Sequence, residues 1–224
     1  MTALTMMQIV ADDAQASRHS LARPFDDQPA QAPKTRPLPN STRLSPSDWI
    51  IAGFEALLEQ GALGVRVEPL ARRIGASKGS FYWHFRDLNA LHQAMLGAWE
   101  DLAMADLRQA GCDLKNPDAA RAQLAALMAE FASATFGQAG ALEPVLREWA
   151  RQKPEVATAL ARVDAQRIEN LAQLFAAQAL SRAAAEEKAT LCYAVLIGID
   201  ALKTLGLVEK PQPLGDLLSA IMAA

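Results

Sequence analysis

Residues 65–91 read VRVEPLARRIGASKGSFYWHFRDLNAL, which is the pattern of two short helices joined at a glycine. Apolar residues at helical spacing predict a first helix over residues 67–74 and a second that ends at Phe85. Gly75 lies between them, where a chain reversal needs a positive φ, and Ser77 offers its hydroxyl as the N-cap of the second helix. The stretch therefore predicts a helix-turn-helix, a motif whose second helix can lie in the major groove of DNA.

The second helix of this motif has an unusual outer face. Phe81, Phe85 and Leu88 share one side of the helix and are expected to pack inward. The side chains left on the outside are Lys78, Ser80, Tyr82, Trp83 and His84. An exposed Tyr-Trp-His triplet is costly unless a partner covers its apolar surface, and its donors can reach phosphate oxygens. We favour a face that contacts DNA; the alternative is a partly buried aromatic cluster within a helical core.

The composition of the whole chain favours helices. Alanine supplies 46 of the 224 residues, whereas Tyr and Trp together supply six, which is a poor composition for a β-sheet. Helix-start signals recur along the chain at Ser45-Pro46, Asp87, Asn116-Pro117, Pro154 and Ser181. We therefore predict an all-α fold of about nine helices, in which an N-terminal three-helix helix-turn-helix domain precedes a larger helical domain.

Apolar stripes indicate where these helices lie. The first helix is predicted to end at Gly61 and to bury Ile50, Phe54, Leu57 and Leu58. A fourth helix covers about residues 87–109, and Gly137 closes the helix that follows Pro117. The later helices are predicted over residues 142–150, from Pro154 onward, from Ser181 to about Gly206, and around the stripe of residues 214–222.

Charge and composition divide the chain into three parts. Residues 1–42 contain five prolines between Pro24 and Pro39 and no sustained hydrophobic period, so a disordered, proline-rich tail is expected. The chain as a whole has a net charge of −3, which by itself discourages binding to nucleic acid. Residues 43–92, however, have a net charge of +1, and residues 93–224 carry −4. The middle part is therefore the predicted DNA-binding domain.

Residues 45–92 resemble the N-terminal region of the tetracycline-repressor (TetR) family of bacterial transcription regulators. The resemblance rests on residues 65–76 and 77–91, and residues 146–150 and 164–167 also look like elements of some members. It implies an all-helical homodimer with a DNA-binding domain at residues 43–92. Residues 93–224 would then form the domain that binds an effector and dimerises.

The resemblance also implies which residues contact DNA. The first half of the second motif helix would face base edges and nearby phosphates, and the Tyr-Trp-His triplet would contact the backbone and thymine methyls. Leu88 departs from the family pattern, because many members have a DNA-touching lysine there, and Val67 replaces the usual capping threonine. We expect Arg66 to compensate for that threonine. The predicted set is Arg66, Ser77, Lys78, Gly79, Ser80, Tyr82, Trp83 and His84.

The C-terminal helices carry a candidate effector pocket. Its predicted lining is Met95, Trp99, Met128, Phe131, Trp149 and Phe175. Each of these residues could equally belong to a plain hydrophobic core, and that alternative stays open. Asp164 and Arg167 interrupt the apolar stripe of their helix, and we expect them to pair with each other at its surface. The alternative is that either residue, or Arg147, holds a polar group of the effector.

A homodimer interface is predicted near the C-terminus. Residues 191–202 are apolar almost all round, with Asp200 as the only charge, and such a helix must be covered on both sides. The helices around residues 181–206 and 213–223 are therefore expected to meet their symmetry mates in an isologous four-helix contact. The predicted partners are double-stranded operator DNA, a second copy of the chain and a small-molecule effector of unknown identity.

Other classes of function are disfavoured by the sequence. None of the three histidines has a Cys or carboxylate at ligand spacing, and the GxxxxGKS/T and GxSxG motifs are absent, so no metal site, cofactor or enzyme is predicted. No stretch approaches the roughly 20 apolar residues of a membrane helix, and we expect a cytoplasmic protein without membrane contact. The prediction is a repressor that binds a palindromic operator as a dimer and is released by an effector. A helical small-molecule binder or enzyme without DNA binding is the alternative.

Overall fold

The structure is a computed structural model, and it describes residues 44–109, 114–132 and 142–207. Within these ranges the chain forms eight α-helices and no strand, which confirms the all-α fold class. The helices are α1 (Pro46–Gln60), α2 (Val67–Arg73), α3 (Lys78–His84), α4 (Leu88–Gln109), α5 (Pro117–Ala132), α6 (Glu143–Ala150), α7 (Pro154–Ala176) and α8 (Arg182–Thr204). The predicted tail, the predicted Gly137 helix end and the predicted last helix at residues 214–222 lie outside the described residues.

The chain divides into two compact units between Met95 and Leu96. The first unit contains α1, α2 and α3, and the second contains α5 to α8. Helix α4 begins in the first unit and ends in the second.

The core of the first unit forms around Trp49 and Phe81, whose rings meet edge to face with centroids 5.2 Å apart. On α1 the inward stripe is Trp49, Gly53 and Leu57. A Cβ atom at Gly53 would lie 2.6 Å from the sulfur of Met95, so a larger residue there would displace the Met95 side chain. The predicted burial of Leu58 is wrong, since it is 40% exposed. It follows Leu57 by about 100° around the helix and so lies beside the inward stripe.

The boundaries of α1 follow from local chemistry. The Asp48 carboxylate accepts hydrogen bonds from the Ser45 backbone N–H (2.6 Å) and from the Ser45 hydroxyl (2.8 Å), which ties down the first turn. Pro46 supplies a fixed φ at the first helical position. The helix ends at Gln60 because Gly61 has φ +66. A short 3-10 turn, Gly61–Gly64, then leads into the next helix.

The second unit has a core where α5, α7 and α8 meet. Leu124, Leu174, Phe175 and Leu196 are among its fully buried side chains. Helix α7 starts at Pro154 as predicted, and the Ser181 hydroxyl caps α8 by accepting from the Ala184 N–H (3.2 Å). Among the described residues, no helix combines the length and apolar character that a membrane span needs.

Candidate nucleic-acid interface

The turn between α2 and α3 is a Schellman motif. The Ala76 N–H donates to the Ala71 carbonyl (2.8 Å), and the Gly75 N–H donates to the Arg72 carbonyl (3.4 Å). Gly75 has φ +64, the left-handed conformation that the sequence pattern predicts at this position. These bonds satisfy carbonyls at the end of α2 and define the direction in which the chain enters α3.

Helix α3 is capped at its start and anchored along its inner face. The Ser77 hydroxyl accepts a hydrogen bond from the Ser80 N–H (3.1 Å), as the sequence predicts. Phe81 and Phe85 are buried with ring centroids 5.6 Å apart, and Leu88 is half-buried. The helix ends at His84 rather than at Phe85, because Phe85 has an extended backbone that turns the chain toward α4.

The outer face of α3 collects most of the predicted DNA-contacting residues. Trp83 is 76% exposed and Tyr82 is 53% exposed, so the alternative of a buried aromatic cluster is wrong for both. The Tyr82 ring stands edge to face against Phe81, with centroids 5.3 Å apart. The exposed residues of this face are Ser77, Lys78, Gly79, Tyr82 and Trp83, with Ser80 and His84 half-buried beside them.

Arg66 lies directly before α2, as the predicted start of that helix implies, but its side chain does not cap the helix. It is the N-cap of α2, and Val67 is the first residue of the helix. The Arg66 side chain makes no capping hydrogen bond, so it does not replace a threonine as a cap. A guanidinium has no acceptor with which to cap a helix N-terminus. Arg66 is nevertheless exposed at the start of α2, where its charge is accessible to a phosphate.

Three cations of the first unit are held in ion pairs. Lys78 Nζ lies 2.8 Å from Glu68 Oε1, Arg86 pairs with Asp87 at 3.0 Å, and Arg73 binds Glu55 and Glu59. The hydrogen bond with Glu68 raises the pKa of Lys78, and the same bond lowers the pKa of Glu68. In the part of the chain that the structure describes, neither Arg66 nor Arg72 has an ion pair. This division into paired and unpaired cations could not be predicted from the sequence, because the ion pairs of Lys78 and Arg73 join different helices.

The second unit contains a polar network that joins α6, α7 and α8. Arg147 donates to both carboxylate oxygens of Asp164 (2.9 Å each), and the Tyr193 hydroxyl donates to Asp164 Oδ1 (2.6 Å). Arg167 Nη1 lies 2.6 Å from Glu143 Oε1 and donates to the Tyr193 hydroxyl (3.3 Å). Burial is the largest cause of the raised pKa of Tyr193.

The predicted pairing of Asp164 with Arg167 is wrong, because both residues bind other members of this network. Arg167 is buried, with 9% of its surface exposed, and it binds residues of α6 and α8. Asp164 likewise binds side chains of α6 and α8. These side chains lie between neighbouring helices. They therefore pair with residues of other helices instead of with each other, one turn apart on α7. Arg147 is a member of the network, where Asp164 is its main partner.

The predicted pocket residues are distributed over both units. Met95 lies in the first unit against Gly53, whereas Trp99, Trp149 and Phe175 are buried in the second. Phe175 belongs to the core formed by α5, α7 and α8. The side chains of Met128 and Phe131 lie outside the described residues. Whether these residues line a pocket stays a prediction.

The geometry defines a class of protein: an all-helical chain with an N-terminal helix-turn-helix unit whose second helix has an exposed aromatic and basic face. Residues 50–95 match the family described as bacterial regulatory proteins, tetR family. Over 59 residues the chain is 41% identical to the tetracycline repressor protein class A from transposon 1721 of Escherichia coli. That match covers 25% of this chain and 27% of the repressor, so it spans about a quarter of that relative.

Solved structures extend the likeness in fold to about four fifths of the chain. A TetR transcription regulator from Haloarcula marismortui has a TM-score of 0.64 at 14% identity, with 80% of this chain and 96% of that chain covered. A transcriptional regulator from Saccharomonospora viridis, solved in complex with choline, has a TM-score of 0.60 at 16% identity, with 78% and 95% covered. The family match therefore covers the N-terminal helix-turn-helix unit, and the solved structures show a similar fold beyond it.

Proposed function

We propose that the chain is a transcriptional repressor that binds a palindromic operator as a homodimer and releases it when a small molecule binds. The outer face of α3 is the observation that supports the proposed DNA binding. It exposes Tyr82 and Trp83 next to Lys78, at the position where a helix-turn-helix enters the major groove. Side chains of this kind supply both apolar contacts to thymine methyls and donors to phosphates.

The homodimer is supported by the exposed side of α8. The inner side of this helix buries Cys192, Tyr193 and Leu196, and none of the residues that the structure describes covers the opposite side. The uncovered stripe is Leu191, Ala194, Gly198, Ala201 and Leu202. Leucines that flank small residues allow close packing of a second helix, and a second copy of α8 with the segment around residues 213–223 is the proposed cover.

The effector part of the proposal rests on the fold and on helix α4. The Saccharomonospora viridis regulator, which shares the fold, was solved with choline. Helix α4 is continuous from Leu88 to Gln109 and passes from the first unit into the second. A dimer on DNA needs its two recognition helices about one duplex turn apart, roughly 34 Å. A ligand that favours another separation therefore releases the operator.

Selection of bound duplexes from a random DNA pool tests the DNA-binding proposal. We expect an enriched site with two-fold symmetry and half-site centres about one turn apart. Such a site would support both DNA binding and a symmetric dimer. A pool with no enriched sequence would contradict the proposal and favour a helical ligand-binding protein or an enzyme.

The effector proposal has its own measurement. Choline and a panel of apolar amines are titrated into the protein with and without saturating operator DNA. Linkage requires that a releasing ligand bind less tightly when operator is present, by the factor by which it weakens operator binding. Equal ligand affinities would show that the compound is not an inducer.

A cavity-filling variant localises the effector site. Ala103 is fully buried on α4, one turn from Trp99. We expect Ala103→Trp to reduce ligand binding while operator binding and the cooperative unfolding transition are retained. Unchanged ligand binding in a folded variant would place the pocket away from Trp99.

A further inference from the structure

The ion pair between Glu68 and Lys78 connects the first turns of the two motif helices. Glu68 is the second residue of α2, and Lys78 is the first residue of α3. Their side chains meet at 2.8 Å, and both are more than half exposed. A pair this exposed contributes little to stability.

The location of the pair follows from the geometry of the motif. The N-terminal residues of the second helix of a helix-turn-helix contact base edges in the major groove. Lys78 occupies this position, and Glu68 is held within hydrogen-bond distance of it. A carboxylate and an ammonium would therefore enter the groove side by side. Their hydrogen bond raises the pKa of Lys78 and lowers that of Glu68, so both are charged at neutral pH.

The chemistry of base pairs shows what such a pair can recognise. In the major groove guanine presents N7 and O6 as acceptors, and cytosine presents its N4 amino group as a donor next to them. An ammonium has three donors, so Lys78 keeps two when one is bound to Glu68. A carboxylate has further lone pairs, so Glu68 can accept from an amino group while bound to Lys78.

We propose that Lys78 and Glu68 act as one unit that reads a single G·C base pair in each half-site, with Lys78 on guanine and Glu68 on cytosine. This makes Glu68 a specificity-determining residue. An A·T pair keeps the N7 acceptor, but its next two groups are an amino donor and a carbonyl acceptor, the reverse of the O6 acceptor and N4 donor that the ion pair would bind. The inference rests on the proposed DNA-binding function.

The test is a double-mutant cycle on a selected operator. One contacting group is removed from the protein, one from the DNA, and then both together. Glu68→Ala removes the acceptor, and replacement of the contacted cytosine by a 2-pyrimidinone nucleotide removes its N4 amino group. Glu59→Ala is the matched control, because it removes a carboxylate of the same charge from the Arg73 ion pair in the same unit. Dissociation constants are measured at one salt concentration for all combinations.

For the unmodified protein and for Glu59→Ala we expect about a ten-fold or larger loss of affinity when the amino group is removed, the scale of a good base contact. For Glu68→Ala we expect a loss of less than about two-fold, the residual cost of a weakened base pair. Base-pair variants of the same position should show a G·C preference that Glu68→Ala relaxes.

Two results would overturn the inference while leaving the proposed function intact. One is a selected operator in which replacing Lys78 or Glu68 changes the base preference at no G·C pair. The other is a Glu68→Ala protein that binds every duplex more tightly by one common factor, because Glu68 would then only repel phosphates. Failure of the unmodified protein to bind any selected duplex would instead overturn the proposed function and this inference together.

Discussion

At the scale of single residues, the most informative side chain is Trp83. It is the most exposed large hydrophobic side chain in the described part of the chain, and Tyr82 is exposed beside it. Single exposed apolar residues are ordinary, but two adjacent exposed aromatics beside a basic residue form a patch of the kind that marks interaction sites. The buried Phe81 and Phe85 hold this patch in place from the inner side of α3.

The Tyr82 hydroxyl is expected to contact the DNA backbone. Tyr82→Phe removes this one donor and keeps the ring that packs on Phe81. Affinity should fall by about 0.5–1.5 kcal/mol for every sequence alike, because phosphates carry no sequence information. Competition binding measures the loss of affinity for the operator and for random duplexes. A loss confined to the operator would assign the hydroxyl to a base instead.

Arg66 and Lys78 should differ in how salt affects binding. Arg66 has no ion pair among the described residues, so its contact with a phosphate releases a counterion, and Arg66→Ala should lower the salt slope by about one. Lys78 is already neutralised by Glu68, and Lys78→Ala should leave the slope nearly unchanged while it relaxes preference at one base pair.

Salt titrations of both variants against the unmodified protein test this difference, with the operator and a random duplex as ligands. An equal change of slope in the two variants would contradict the assignment of Arg66 to a phosphate and Lys78 to a base.

At the scale of the elements, the turn at Gly75 determines how α3 follows α2. Gly75→Ala places a Cβ on a residue with φ +64, where the left-handed conformation costs about 1 kcal/mol or more for other residues. Gly79 is the matched control, since its φ is not positive and a Cβ there would meet only the Ser77 hydroxyl, at 3.7 Å.

Urea unfolding of the two alanine variants measures this difference. We expect Gly75→Ala to lower the free energy of unfolding and Gly79→Ala to leave it unchanged or raise it, because alanine is a better helix residue. Equal stability of the two variants would show that the turn does not depend on glycine.

The sequence predicts helix starts well and contacts between helices poorly. The signals at Ser45-Pro46, Pro154 and Ser181 act within a few residues, so they can be recognised without tertiary structure. The pairing of Arg147 with Asp164 joins residues 17 apart on different helices. It depends on how α6 packs on α7, which no local pattern encodes.

The same limit applies to the candidate interface. The exposed face of α3 could be predicted because it follows from helical periodicity and from the positions of Phe81 and Phe85. The Glu68–Lys78 pair could not, because the two residues are ten apart across the Schellman turn. Their approach depends on the angle between α2 and α3, which the turn sets.

At the scale of the whole molecule, the exposed stripe of α8 is expected to hold two copies together. Leu191 is 52% exposed, so Leu191→Glu should leave the fold intact while it places two like charges across the two-fold axis. We expect monomers with a native helical content. Ala161→Glu, on the exposed side of α7, is the control that adds the same charge elsewhere.

Sedimentation and circular dichroism of both variants check this prediction. Ala161→Glu should remain dimeric, and the Leu191→Glu monomer should lose operator binding because one helix-turn-helix reads only half a site. A folded Leu191→Glu dimer would move the interface away from this part of α8.

The central claim is that a dimer presents two α3 faces to one side of a DNA duplex. Its most direct test compares the selected operator with a duplex in which about five base pairs, half a helical turn, are inserted between the half-sites. We expect the insertion to reduce affinity to that of random DNA, because the half-sites then lie on opposite sides of the duplex. Equal affinity for the two duplexes would contradict it.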